Sequence, residues 1–281
     1  MENHNIQSHT PEPISGTKPS DQNQIHPSLD TLLSRFKPVE ISDISHATLQ
    51  NRKESKYLLS THQALDLLKH LPETYQIFEV DGKQVQTYST TYYDSPEFQL
   101  YLAHHNGRKP RYKVRTRSYI GSDLTFLEVK EKKNTGKTIK HRLQTKGLVT
   151  RLGSDIREFL SSCFPFDYSQ YKPVLINEYR RITLVSAVQP ERITLDIDLT
   201  FRSGSTDILL PDIAIAEIKR SFDHTRSPAL EYLNTMRLRP RGFSKYCIGI
   251  SLLYGDFVKH NNFRMILRIL NKLTNGGPVL C

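Results

Sequence analysis

The stretch "RYKVRTR", residues 111–117, sets a cation at every second position: Arg111, Lys113, Arg115 and Arg117. Between them stand Tyr112, Val114 and Thr116, residue types that favour strands. Successive strand side chains point to opposite faces, so same-face neighbours lie roughly 6.6 Å apart, twice the rise per residue. As a strand, the segment has one wholly cationic face and one mostly apolar face. Other stretches repeat the pattern with mixed signs. In "LEVKEK" (127–132), Glu128, Lys130 and Lys132 oppose Leu127 and Val129. In "RKESKYLL" (52–59), Arg52, Glu54 and Lys56 share a face. In "NEYRRITL" (177–184), Tyr179, Arg181 and Thr183 oppose Glu178, Arg180 and Ile182. In "ERITLDIDL" (191–199), Arg192, Thr194, Asp196 and Asp198 oppose Ile193, Leu195, Ile197 and Leu199. In "DIAIAEIKR" (212–220), Ile213, Ile215, Glu217 and Lys219 oppose Ala214, Ala216 and Ile218.

Alternation and composition predict about eight strands, near 52–59, 75–80, 84–93, 109–119, 123–133, 173–185, 191–201 and 211–220. "VDGK" (80–83) carries the Asp-Gly signal of a tight turn. Helices are expected at 61–71, capped by Thr61 and ended by Pro72, and at 95–107, 154–163, 227–238 and 255–273. Many strands with few intervening helices point to an α+β class. A closed antiparallel barrel with flanking helices, apolar outside and charged within, accounts for all the charged faces together. Taken singly, each face is equally the wet side of a half-buried sheet, and "RYKVRTR" alone also suits nucleic acid. A nucleic-acid groove should add aromatic stacking platforms, which do not interleave with these cations, so none is expected as partner.

The chain has 281 residues and a net charge of +10. Arg108–Arg142 contains 12 Lys and Arg against Asp123, Glu128 and Glu131, which places nearly all of that excess in one segment. Such a surplus calls for an anionic partner. Cys163, Cys247 and Cys281 are odd in number, far apart and without metal-ligand spacing, which suits free thiols in a reducing compartment. No apolar run is long enough to span a bilayer, so a soluble, cytoplasmic protein is expected. Residues 1–28 are polar and read as a disordered tail, 29–255 as one domain, and 256–281 as a C-terminal helix and tail. There is no phosphate loop, dinucleotide fingerprint, nucleophile elbow or zinc-protease helix motif. "AHHNG" (103–107) holds the sole His pair, without a third ligand at a useful spacing.

Seven stretches occur in a familiar order: "NRKESKYLL", "YYDSPEFQLYLAHHNGRKPRYKVRTRSY", "FLEVKEK", "NEYRR", "RITLDIDLTF", "AIAEIK" and "FSKYCIGI". Together, over about residues 29–255, they resemble the polyphosphate polymerase domain of the vacuolar transporter chaperone (VTC) family, within the triphosphate tunnel metalloenzymes. The resemblance implies a charged tunnel and a polyphosphate polymerase that extends inorganic polyphosphate from ATP with Mn2+ or Mg2+. It implies that Lys56, Arg115, Arg117, Lys130, Arg181, Arg192 and Lys245 grip the triphosphate or the product chain, with Tyr179 and Ser244 donating hydrogen bonds to phosphate. Lys219 and Lys132, on the same strand faces, join the substrate-binding set. Glu217 would hold the metal, with Glu128 as a second carboxylate. A membrane-bound partner also fits the family, although this chain supplies no span. Two departures stand out. Arg52 replaces the first Glu of the superfamily's E-x-E-x-K, and Gly242 stands where a Lys often precedes the Ser-Lys pair, a contact that Arg241 could supply. Two other readings remain open: a tripolyphosphate or nucleoside triphosphate hydrolase using Glu54 or Glu128 to position water, and a non-catalytic polyanion-binding module.

Overall fold

A computed structural model of the chain describes residues 26–40, 52–149, 153–223 and 226–274. Its strands form one sheet. The main path runs β2 (Arg52–Ser60), β11 (Ile213–Ser221), β9 (Glu191–Ser203), β8 (Lys172–Ser186), β4 (Val85–Asp94), β5 (Arg111–Ile120), β6 (Thr125–Lys132) and β7 (Thr138–Thr145). Every neighbouring pair along it is antiparallel. Off this path, β10 (Thr206–Leu210) folds back on β9, while β3 (Tyr75–Phe78) continues the pairing on β8 and takes β1 (Lys37–Val39) in parallel.

The expected barrel is only partly realised. Among the described residues β2 and β7 do not pair, so hydrogen bonds leave a seam between the two ends of the path. The sheet nevertheless curls until its ends face each other. Lys130 of β6 lies within electrostatic reach of Glu54 and Lys56 of β2, and Lys140 of β7 within reach of Lys219 of β11. At the seam, the backbone N–H of Arg241 donates to Lys56 O at 2.7 Å, laying the segment before α6 (Lys245–Leu253) along the free edge of β2.

The outer faces are apolar and lie under helices, as the alternation requires. Tyr57, Leu59, Leu195, Ala214, Ala216 and Ile218 pack with α1 (His26–Leu33), α2 (Thr61–His70) and α5 (Pro228–Thr235). Tyr112, Val114, Leu127 and Val129 pack with Ile156 and Leu160 of α4 (Ser154–Cys163). Inside the curl, Leu58, Leu175, Leu199, Phe201, Ile213 and Ile215 surround α6, with α7 (Arg264–Leu273) and Tyr101 of α3 (Gln99–His105) beyond it. The helix begins at its N-cap Ser244, whose Oγ accepts from Cys247 N. Gly249 in its middle has a packing reason: a Cβ there would meet Leu175 and Phe201 at 2.7 Å.

Several expectations need correction. β1, β7 and β10 were not expected; the first and last are short, and "TIKHRLQT" has weak apolar alternation. α6 was also unforeseen, because its residues 246–252 show little amphipathic period, being buried all round. The cap of α2 is Ser60 rather than Thr61: Ser60 Oγ accepts from Gln63 N, and the Gln63 side chain accepts from Ser60 N. "VDGK" does turn tightly, with Asp81 and Gly82 at positive φ, but β3 and β4 then lie in succession along β8 rather than forming a hairpin. The expected helix at 255–273 reduces to α7, and that at 95–107 to α3. In β9, Asp198 adopts φ +52° beside a register shift and pairs with Arg180. This bulge turns Leu199 and Phe201 to the inside, where strict alternation would have put Asp198, Thr200 and Arg202. Helix α1 starts at His26, ahead of residue 29, while residues 1–25 and Cys281 lie outside the described residues.

Candidate functional site: a cationic lumen

The inner faces of β2, β11, β9, β8, β4, β5, β6 and β7 meet in one lumen. Four carboxylates organise its cations. Asp196 of β9 is almost fully buried and accepts Arg181 Nε at 2.5 Å and Nη2 at 2.8 Å, together with Lys245 from the first turn of α6. Burial would raise its carboxyl, but Arg181 and Lys245 outweigh that and hold it at about 2. On β11, Glu217 lies between Lys56, at 3.1 Å, and Lys219. Burial again opposes ionisation, yet the two ammoniums keep Glu217 well below the usual carboxylate range. Glu54 also pairs with Lys56 and is lowered, despite burial and repulsion from Glu217. On β6, Glu128 takes Arg115 at 2.6 Å and Arg142 at 3.0 Å, one on each oxygen, and is held at about 2 against burial.

The remaining cations have no such partners. Among the described residues, no carboxylate lies within salt-bridge distance of Lys113, Arg117, Lys130 or Arg192. Burial and then Lys113 push the Lys130 ammonium down to about 8. Arg192 is lowered by burial and by Arg52, and Lys113 by burial. Lys113 donates to Ser244 Oγ at 2.9 Å, and Arg117 donates to Thr90 Oγ1 at 3.4 Å. Buried polar atoms are also orphaned here: Tyr179 OH, Arg192 Nε and Thr194 Oγ1 have no hydrogen-bond partner. Tyr179 is fixed from both sides. It stacks on Tyr88 with centroids 5.3 Å apart, and Lys245 Nζ lies 4.2 Å from its ring centre.

The structure therefore brings Lys56, Arg115, Arg117, Lys130, Arg181, Arg192, Lys219, Lys245, Tyr179, Glu217 and Glu128 to one space. Lys132 lies one step beyond Lys130 on the same face, opposite Arg111. Ser244 joins them as the α6 N-cap, its oxygen already accepting from Cys247 N and Lys113, its proton still available. Arg241 does not enter the lumen; its Nη1 lies 3.4 Å from the Met265 sulfur of α7. The sequence reading gave no site role to Asp196, which centres the deepest ion cluster, or to Arg142 and Lys140. The last two have a signal in hindsight: Lys140, Arg142 and Gln144 alternate with Ile139, His141 and Leu143.

Among the described residues no group of three or more His, Cys, Asp or Glu could hold a metal ion alone. Glu54 and Glu217, close enough to repel each other, offer oxygens of a different kind. A magnesium-type ion takes one or two protein carboxylates and completes its shell with waters and phosphate oxygens, and this donor set fits that pattern.

A family model described as "VTC domain" matches residues 51–254. No curated protein matches the chain. Solved structures similar to it include a candidate adenylate cyclase from Bacillus halodurans, 14% identical over 73% of this chain and 100% of that one, with a TM-score of 0.49. Another is a Hippeastrum adenylyl cyclase candidate with a dominant triphosphatase activity, 15% identical over 70% and 94%, with a TM-score of 0.42.

Proposed function

The chain belongs to the VTC domain family, and from that premise we propose that it is a polyphosphate polymerase, transferring the γ-phosphoryl group of ATP to the end of a growing inorganic polyphosphate. The observation that supports this is the unpaired set Lys113, Arg117, Lys130 and Arg192 around the orphaned Tyr179 OH and Thr194 Oγ1. Half-buried cations with no carboxylate in pairing distance need an anion to complete the site. A chain of phosphates supplies many.

In this reading the curled sheet works as a tunnel whose seam is covered by residues 239–244 rather than closed by strand pairing. Two of the carboxylates act as splints. Asp196 aims Arg181 and Lys245, and Glu128 aims Arg115, so that these cations stay oriented while the unpaired ones take phosphate oxygens. The terminal oxygen of the chain, largely ionised near neutrality like a phosphoester with a second pKa of about 6, attacks the γ-phosphorus in line. One P–O bond forms, the bond to the β-phosphate oxygen breaks, and ADP leaves with that electron pair. No strong general base is required, so catalysis reduces to alignment and charge neutralisation. Arg115, Arg117 and Lys130 would meet the equatorial oxygens, and Tyr179 and Ser244 would each donate one hydrogen bond. Lys56, Lys219, Arg192 and Lys132 would hold the remaining phosphates. Glu217, with Glu54 beside it, would hold Mn2+ or Mg2+, which when bound would supply positive charge to offset the negative charge developing on the phosphates. Each oxygen of Glu128 holds a guanidinium and each oxygen of Glu217 an ammonium, so what favours Glu217 for that task is the second carboxylate beside it, Glu54.

The same geometry weakens the hydrolase reading. Of the two carboxylates that could position water, Glu128 is engaged by two arginines and Glu54 by Lys56. Purified protein given ATP and Mn2+ should release ADP and accumulate polymer seen as a ladder on a gel. Free phosphate equal to the ATP consumed, with no polymer, would transfer the chain to the hydrolases. Tight binding without ATP consumption would leave a polyanion-binding module.

A further inference from the structure

Helix α7 lies beyond residue 254, where the family match ends. Its apolar side is occupied: Ile266, Leu267 and Leu270 are buried in the cluster that surrounds α6. Its outward side carries Arg264, Arg268 and Lys272, all exposed, at i, i+4 and i+8. That spacing aligns the three cations in one row, roughly 6 Å apart along the axis. Among the described residues none of them has a carboxylate within salt-bridge distance. Like charges at i, i+4 are mildly unfavourable to a helix, so the row has no structural benefit to explain it.

Arg241 links this row to the lumen. Its backbone N–H is bound to Lys56 O on β2, whose side chain lines the lumen, while its guanidinium reaches Met265 on α7. Met265 itself is 58% exposed and adjoins Arg264. Arg237 and Arg239, exposed in the same connecting segment, add further charge. One run of cations thus passes from Lys56 over Arg241 to Arg264, Arg268 and Lys272.

We infer that this run is an external track for linear polyphosphate, which guides the chain along α7 once it leaves the lumen past the end of the 239–244 segment that covers the β2 seam. The inference rests on the polyphosphate reading of the lumen. A bilayer is the less suitable occupant, because most of the apolar face of α7 is already committed to the core and the outward face is mostly charge. Met265, 58% exposed on α7, and Phe257, 84% exposed just before it in the chain, are the large apolar side chains that could enter lipid.

The test uses Arg264→Ala, Arg268→Ala and Lys272→Ala combined in the full chain, with binding of tripolyphosphate and of long-chain polyphosphate measured across a salt series. All three side chains are exposed, and an unchanged melting temperature confirms folding. The track predicts that tripolyphosphate binding is unaltered while long-chain affinity falls about tenfold. The salt slope for the long chain should flatten by about 2, at about 0.7 per cation removed from a single-stranded anion. Equal long-chain affinities and slopes for variant and wild type would overturn the track. So would an unchanged long-chain affinity joined to lost binding of phosphatidylserine vesicles, which would make the row a lipid contact. An absence of polymer from ATP would remove the polymerase reading alone, since the length-dependent binding decides the track by itself.

Discussion

Two halves of one interior are built by the same strands and behave in opposite ways. On β2 the inner face runs Glu54, Lys56, then Leu58; on β11 it runs Lys219, Glu217, then Ile215 and Ile213. On β9 it runs Arg192, Thr194, Asp196, and after the Asp198 bulge Leu199 and Phe201. The first half is lined with charge, and several of its cations face no anion. The second is filled by α6 with apolar side chains and has no room to spare. Burying the apolar half stabilises the fold, each fully buried large side chain contributing on the order of 1.5–3 kcal/mol. Gathering unpaired cations does the reverse. The charged half is therefore expected to matter for function out of proportion to its part in stability, and the apolar half the other way round.

The sharpest break of that contrast is Arg117→Ala. Arg117 has no carboxylate within pairing distance, and its guanidinium lies 5.5 Å from the Tyr88 ring centre, among the other lumen cations. Removing it should lower turnover of ATP into polymer by on the order of 10²–10³, the range for deleting one donor aimed at developing charge. The melting temperature should move by about 2 °C or less, because mutual repulsion is relieved as a hydrogen bond is lost. A large loss of stability accompanying the loss of activity would show that the two halves are not separable.

A smaller effect comes from pH. Lys130 is pushed down to about 8 in the free protein by burial and by Lys113, whereas an unfolded lysine titrates near 10.4. Bound phosphate supplies the missing anion and returns the group towards its ordinary value. Polyphosphate affinity should then fall about tenfold from pH 7 to pH 9, as the free enzyme loses that proton and the complex retains it. The sign is opposite for folding. Between about pH 8 and about 10.4 the unfolded chain binds more protons at this position, so this group's contribution to the stability of the ligand-free protein rises with pH. Lys130→Met should flatten both trends. Superimposable affinity profiles for variant and wild type would remove Lys130 from the phosphate-binding set.

The contrast also explains which parts of the molecule could be read from its sequence. The charged half was legible because strand alternation is a local signal: "RYKVRTR", "LEVKEK" and "AIAEIK" each show both faces within a few residues. The partition of its cations was not. Whether Lys56 meets Glu217, or Arg117 meets no carboxylate, depends on cross-strand register, which no single strand encodes. The apolar half was nearly invisible. "KYCIGISLL" is apolar all round because it is enclosed by the sheet, so the period that announces a surface helix is absent. Leu199 and Phe201 turn inward only because the bulge at Asp198 resets the alternation. Closure failed for a related reason: alternation says which way side chains point, but not whether the first and last strands pair.

The smallest expected effect on activity belongs to Gly249→Ala, deep in the apolar half. A glycine inside a helix costs roughly 0.5–1 kcal/mol relative to alanine, so on helix propensity alone the change should stabilise. Here the new Cβ would stand 2.7 Å from both Leu175 and Phe201, and 3.1 Å from a second methyl of Leu175. Those side chains are 1% and 0% exposed, with no free space to move into. Overpacking of this kind costs typically 1–3 kcal/mol and outweighs the propensity gain, leaving a net loss of about 1–2 kcal/mol. At roughly 2–4 °C per kcal/mol for a domain of this size, the melting temperature should drop by about 2–8 °C. Turnover measured well below melting should stay within about twofold, because α6 enters the charged half only through Ser244 and Lys245, more than one turn from Gly249. If turnover instead fell with the melting temperature unchanged, α6 would be acting as a positioning element for Lys245 and Asp196, and the apolar half would have to be counted as part of the site.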